Sequence, residues 1–412
     1  MSKRRAAEWA KNVLIVLLVI SAGLLIYFSG YYSLLWPGAG DSGAAHDGTD
    51  GGAAPSLAQS VRPLAAVVSQ ADGTHHARAY DSEGVSELYS AFSAMLGEAV
   101  GSSGTPESVD FSEFRSAVSS QCVLLDFYWT WPLSLVASRL GVDAAGAAGY
   151  SARYAALCCR GGGVELLFSD GDSYYRCTTG VSEASLSSRL ALYRTKNCVF
   201  AFEDEKFSGA APLTPVLSAL PEISSVSAAQ TQEFDLETVF TLLDMNPYAI
   251  HPYSETDGTL VYVGSGTTLR VYTDGSVSFR SEPGDGATGL IECVNAAESF
   301  ARACLGASSG AAELYFAGAE ENASSGFRVY FDYCVNGIPV RLSGAEHAAE
   351  IYVSGGSIAA AEMHPRFLET GSAQQGLLPP VQACAIAASG GGEPRIVYDE
   401  TASGLVCRWV RG

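Results

Sequence analysis

Apolar residues recur along most of this chain at two spacings, and those spacings divide it into elements. Val85, Leu88, Phe92, Met95 and Leu96 fall at helical intervals and predict a helix over Glu83–Val100. Gly101-Ser-Ser-Gly-Thr-Pro106 breaks it. A second short helix is expected over Ser112–Ser119, with Phe111, Phe114 and Val118 on one side, and a buried strand over Cys122–Tyr128. Arg153–Cys159, Val164–Ser169 and Ser173–Thr178 read as three successive strands, separated by Gly161-Gly-Gly163 and by Asp170-Gly171-Asp172. Asp-Gly between apolar runs is a hairpin signal, because the turn needs positive φ. A helix over Ser182–Arg194 and a strand over Val199–Phe202 follow.

The second half repeats a theme of one helix followed by short strands. Phe234–Leu243 predicts a helix, then Thr259–Val263, Thr268–Thr273 and Ser276–Arg280 predict strands, the last two joined by Asp274-Gly275. Ile291–Cys304 predicts the next helix, followed by strands at Glu313–Ala319, Phe327–Cys334, His347–Val353 and Ser357–Met363. Pro379–Ala388 reads as a helix opened by proline. Strands at Ile396–Tyr398 and Leu405–Val410 close the chain. Short antiparallel strands with interspersed helices define an α+β fold. The expected organisation is an α+β domain over 61–229 and two smaller α+β units over 230–289 and 290–412.

The amino terminus follows neither period. No charged residue occurs from Asn12 to Trp36, and Val13–Ile20 is uninterrupted apolar sequence. About 20 apolar residues suffice for a helix to span a bilayer. Trp9 on one side and Tyr31, Tyr32 and Trp36 on the other suit the interfacial aromatic belts. The sequence therefore predicts a cytoplasmic tail over 1–11, a single transmembrane helix over 12–36 and a flexible Gly/Ala/Ser/Asp linker over 37–60. The bulk of the chain is then expected outside the cell membrane. A cleaved signal peptide fits less well, because the apolar run is long and no A-x-A-like site follows it.

Charge supports this division. The first 11 residues hold four bases (Lys3, Arg4, Arg5, Lys11) against Glu8, although the 412-residue chain carries a formal net charge of −20. Bases on the near side of an apolar run keep that side cytoplasmic. The acidic remainder argues against nucleic acid as a partner, since phosphate neutralisation needs clustered Lys and Arg.

Candidate chemistry is sparse. There are ten cysteines, and an even count outside a membrane permits disulfides, but their apolar settings favour buried thiols. No C-x-x-C, H-E-x-x-H or S-x-x-K occurs. His46, His75, His76, His251, His347 and His364 are expected in loops or at the surface. Gly284-Asp-Gly-Ala-Thr-Gly289 matches G-x-G-x-x-G on paper, but Asp285 would oppose a pyrophosphate and the neighbouring segments are antiparallel hairpins. Asp170-Gly171-Asp172 lacks the further acid of a calcium loop. No catalytic, metal-binding or cofactor-binding residue is assigned, and no cofactor or small-molecule substrate is expected.

Several segments carry a resemblance. Leu242-Leu-Asp-Met-Asn-Pro-Tyr248, Tyr253-Ser-Glu-Thr-Asp-Gly-Thr-Leu-Val-Tyr-Val263 and Leu269-Arg-Val-Tyr-Thr-Asp-Gly-Ser-Val-Ser-Phe279 resemble the YycH/YycI family. Phe327-Arg-Val-Tyr-Phe-Asp-Tyr-Cys-Val-Asn-Gly-Ile-Pro-Val340 and Ala349-Glu-Ile-Tyr-Val-Ser-Gly-Gly-Ser-Ile358 do so too, and also resemble PepSY-type modules. The resemblance covers the anchor topology and most of 230–412. It implies a non-enzymatic single-pass membrane protein whose extracytoplasmic α+β region regulates the sensor histidine kinase of a cell-wall two-component system. The implied partners are that kinase, a paralogous regulator, or both. The PepSY likeness implies an alternative, a modulator or inhibitor of a secreted peptidase. A cell-wall hydrolase with dispersed carboxylates is a third reading. The shared motifs are strand and turn patterns, so no functional residue transfers.

Overall fold

The structure is a computed structural model. It describes residues 62–229, 236–243, 245–246, 251–306, 309–322, 326–374, 376–388 and 393–411. The apolar run 12–36 and its flanks, 1–11 and 37–60, lie outside the described residues. Among the described residues no helix is long and apolar enough to cross a membrane.

The chain is a mixed α+β fold built on two large sheets. In order, the first part comprises β1 (Ala65–Ser69), β2 (His75–Ala79), α1 (Ser82–Gly101), β3 (Glu107–Val109), α2 (Phe111–Val118), β4 (Cys122–Pro132), α3 (Leu133–Arg139), β5 (Ser151–Arg160), β6 (Gly163–Ser169), β7 (Tyr174–Thr178), α4 (Glu183–Leu190), β8 (Cys198–Phe200) and β9 (Pro215–Leu217). All nine strands form one antiparallel sheet in the order β3-β7-β6-β5-β4-β1-β2-β8-β9.

The period-2 burial of these strands has two takers. Val68, Val123, Leu125 and Leu157 join Leu88, Phe92 and Leu96 of α1, Leu135 and Val136 of α3, and Leu186 and Leu190 of α4. On the other face Val67, Leu124, Ala156 and Leu167 meet Phe114, Ala117 and Val118 of α2. Sealing both faces explains why β4 and β5 read as nearly continuous apolar runs. Helix α1 starts where Asp81 accepts a hydrogen bond from the Gly84 amide at 3.1 Å, and Glu83 lies in its first turn. Each large side chain it buries contributes about 1.5–3 kcal/mol.

The second part comprises β10 (Ser224–Ala229), α5 (Leu236–Leu242), β11 (Tyr253–Ser254), β12 (Leu260–Val263), β13 (Thr267–Val271), β14 (Val277–Ser281), α6 (Leu290–Leu305), β15 (Glu313–Asn322), β16 (Gly326–Val335), β17 (Ile338–Arg341), β18 (Ala349–Ser354), β19 (Ser357–Met363), β20 (Phe367–Gln374), α7 (Pro380–Ala388), β21 (Pro394–Thr401) and β22 (Gly404–Arg411). β10 pairs with β20, and the other strands form the second sheet. The strands of segments 230–289 and 290–412 meet within that sheet, where Val277–Arg280 of β14 pair with Met363–Ala360 of β19. One parallel contact, Val340 beside Tyr398, links β17 to β21. α6 lays Cys293, Val294, Ala297, Ala301 and Cys304 against Val329, Phe331, Ile351 and Val353.

The turn signals mark hairpins, but Asp274-Gly275 is not the two-residue turn expected: Val271 pairs with Val277, Tyr272 N donates to Ser276 O at 2.9 Å, and of the two only Gly275 has positive φ (82°). Asn336 and Gly337, joining β16 to β17, both have positive φ (50° and 76°), the two-residue hairpin geometry that Asn-Gly favours. The same Asn336 Oδ1 accepts hydrogen bonds from Ser82 N at 3.1 Å and Ser82 Oγ at 3.0 Å, so the hairpin tip docks on the start of α1. One continuous apolar core extends from the first sheet to the second.

Candidate functional site

Viewed across the first sheet, successive register pairs bring together residues distant in sequence. Cys198 lies opposite His75, His75 opposite Ser69, Ser69 opposite Cys122, Cys122 opposite Cys158, and Cys158 opposite Glu165. Directly opposed residues share a face. A row of imidazole, hydroxyl, three thiols and a carboxylate therefore crosses the face that α2 covers.

Ser69 Oγ lies 2.8 Å from His75 Nδ1, and His75 Nε2 lies 2.9 Å from Glu203 Oε1. In the neutral tautomer that donates from Nε2 to Glu203, His75 Nδ1 accepts from the Ser69 hydroxyl. The other Glu203 oxygen accepts from the Phe200 amide at 2.8 Å, which fixes the carboxylate on the turn after β8. Hydroxyl, imidazole and carboxylate in series is the connectivity of a hydrolytic triad. Burial decides against that use. Ser69 is 0% exposed and His75 1% exposed, and a nucleophile needs a site about 3 Å away where a reacting atom can sit. The relay instead ties the β1–β2 hairpin to the 201–203 turn, with the Phe200 ring edge-on to His75 at 5.0 Å.

His75 is thus a correction to the sequence reading, which placed it in a loop or at the surface. It is a strand residue in the core, while His76, its neighbour, points the other way toward Tyr193. The ten cysteines are free thiols and nine are buried. Burial pushes the Cys158 thiol well above its usual range and the Cys198 thiol up to about 12.

A second set of polar groups joins the two sheets. Arg153 on β5 reaches Asp126 at 3.0 Å and Glu393 at 2.7 Å, and Arg395 on β21 reaches Glu393 at 2.5 Å while lying over the Tyr128 ring at 4.2 Å. Burial opposes the Glu393 charge, but the hydrogen bond and field of Arg153, with Arg395 behind it, hold its carboxyl below the usual range. Glu298 of α6 meets Arg139 of α3 at 2.7 Å and Arg302 at 3.0 Å. Arg62 pairs with Glu313 and Tyr315 of β15. The Trp131 indole donates to the Phe316 carbonyl at 3.1 Å.

The remaining sequence candidates resolve as architecture. In Gly284–Gly289 the backbone of Gly284 packs on Gly355 of the β18–β19 turn, where a Cβ on Gly355 would fall 2.4 Å from the Gly284 carbonyl carbon. The Gly289 amide at the start of α6 donates to Glu292 Oε2 at 3.3 Å, so a carboxylate already occupies that helix terminus. His347 Nδ1 lies 3.0 Å from Asp332 Oδ1, and the Tyr330 ring covers the imidazole at 4.6 Å. Burial opposes its charge, yet the Asp332 bond, with Glu346 and Glu350 nearby, raises its pKa above the usual 6.5. Asp170 caps its own turn by accepting from Asp172 N and Ser173 N. A shallow, open depression on α5 is lined by Glu237, Thr238, Thr241 and Leu242. Among the described residues no group of three or more His, Cys, Asp or Glu is placed to hold a metal ion.

The chain has a YycH-like fold. The crystal structure of YycH from Bacillus subtilis aligns with 86% of this chain and 97% of its own, at a TM-score of 0.57 and 12% sequence identity. No family model and no curated protein sequence matches.

Proposed function

We propose that this protein is a membrane-anchored, non-enzymatic regulator of a sensor histidine kinase in a cell-wall two-component system. The observation that carries the reading is the YycH-like fold over 86% of the chain, together with the strand and turn segments that resemble that family. In this account 1–11 stays in the cytoplasm, 12–36 spans the membrane and the folded part lies outside. The apolar run contains Ser21, Ala22 and Gly23, small residues that permit close approach of a second membrane helix. Burial of Ser69 and His75 supports binding over turnover.

Such a regulator acts by preferring one kinase state, and it shifts the kinase population by the difference in its affinity for the two states. Deleting the gene and measuring transcripts of cell-wall hydrolases tests the reading. A change in those transcripts, reversed by the full-length chain but not by one lacking 1–36, is expected. Unchanged transcripts would remove the regulatory role.

A further inference from the structure

The transverse row holds the one register pair, among the described strands, in which both partners are cysteine. Cys122 opens β4 and Cys158 lies directly opposite on β5. The pair's position in the ladder follows from its neighbour. Cys159 N donates to Gln121 O at 2.9 Å, which makes 121 and 159 a hydrogen-bonded pair. Such pairs alternate along an antiparallel ladder, so 122 and 158 form a non-hydrogen-bonded pair. There the Cα atoms approach to about 4.5 Å and the side chains lie closer than anywhere else in the ladder. A disulfide needs Cα atoms about 4.4–6.8 Å apart. The separation typical of such a pair lies at the short end of that range, so the register permits a disulfide. Both thiols are fully buried on that face. Cys122 Sγ donates to the Val118 carbonyl at 3.2 Å.

We propose that Cys122 and Cys158 are a redox modification site that closes to a cross-strand disulfide. The oxidant is a small disulfide of the glutathione class. One cysteine thiolate attacks a sulfur of that disulfide and releases one thiol. The second cysteine thiolate then attacks the first cysteine's sulfur and releases the other. Two cysteine S–H bonds become one S–S bond, and the two hydrogens end on the two released thiols.

The other cysteines do not compete in the same way. Cys158 and Cys159 are adjacent and face opposite sides of β5. Cys293 and Cys304 sit on one helix, α6, about 16 Å apart along its axis. Timing follows from burial. In the folded protein both thiols of the pair are fully buried and the Cys158 thiol is held protonated, so attack is suppressed. The bond forms while the chain folds, before α2 closes over the face. Once formed it is shielded from reductant by the same layer.

The test uses the full chain in detergent, refolded with mixed reduced and oxidised glutathione, alkylated, and digested without reductant. The expected product is a peptide joining Cys122 to Cys158, with the other eight cysteines recovered as alkylated thiols. Reduction should raise the unfolding equilibrium constant by roughly several hundred-fold, the loop-closure value for a link spanning residues 122–158. In Cys122→Ala this dependence on reductant should vanish. Recovery of Cys122 and Cys158 as separate alkylated thiols across the glutathione range would overturn the proposal. So would a reductant effect that persists in Cys122→Ala. Neither outcome depends on the kinase reading, which stands or falls on its own assay.

Discussion

Glu298 offers a direct measure of how the two sheets are coupled. Its side chain is 1% exposed and accepts from Arg139 at 2.7 Å and from Arg302 at 3.0 Å. Arg139 belongs to α3 behind the first sheet, whereas Glu298 belongs to α6 on the second. Burial already disfavours the Arg139 charge, and its Nε has no hydrogen-bond partner. Glu298→Ala removes the carboxylate and leaves a guanidinium that is 9% exposed without compensation. Breaking a buried pair from one side costs about 3–5 kcal/mol. Arg139→Ala alone should cost a similar amount, because it strands part of the Glu298 charge. The double variant should recover most of one loss, giving a coupling energy of about 3 kcal/mol. The assay is urea denaturation followed by tryptophan fluorescence. Trp131 reports on the joint itself, since its buried indole bonds the Phe316 carbonyl of the other sheet. Single-variant losses below about 1 kcal/mol that simply add would refute the reasoning, because they would mean the pair is screened like a surface bridge.

Three further outcomes follow from the same geometry. Gly355→Ala should destabilise the protein by about 2 kcal/mol or more in thermal unfolding, since φ is +55° and the new Cβ would meet Gly284 backbone; an unchanged melting temperature would show that the two turns are free to separate. His347 has a raised folded pKa, so the stability it supplies is complete below about 6.5 and is lost as pH rises through the folded value. His347→Ala should flatten the stability profile above pH 6.5, as read from unfolding free energies measured across that range. Glu393 has a depressed pKa, so its contribution is complete above 4.5 and lost as pH falls through the folded value. Glu393→Gln should therefore remove part of the acid sensitivity of unfolding below pH 4.5.

The parts of the fold legible in sequence are those fixed locally. The spacing of Val85, Leu88, Phe92 and Leu96 locates α1, and Asn336-Gly337 is a hairpin turn because Asn and Gly adopt positive φ at little cost. The strands that the sequence hides are short or weakly apolar. β2 is His75-His-Ala-Arg-Ala79, and it becomes a strand through pairing with β1 and β8 rather than through its own propensity. α3 is hidden because Pro132 looks like a terminator; in the structure it is the residue before the first turn, where proline is tolerated.

The polar row was illegible for a different reason. Ser69, His75, Cys122, Cys158, Glu165 and Cys198 are spread across 130 positions, and only register brings them together. His75 looked peripheral beside His76 because adjacent strand residues face opposite ways, and sequence does not say which of the two faces the core. The G-x-G-x-x-G string, which charge and topology already disqualify as a phosphate loop in the sequence, has a packing role. Its Gly284 is there to let two backbones touch, a packing need that yields the same letters as a phosphate loop.

The account's central claim is a physical partnership in the membrane, and photo-crosslinking in intact cells tests it most directly. A crosslinker placed at Ser21 or Ala22, followed by purification of the full-length chain and mass spectrometry, should recover a sensor histidine kinase joined through its membrane helices. A product soluble and shortened to remove 1–36, or a membrane form that crosslinks only to lipid, would contradict it.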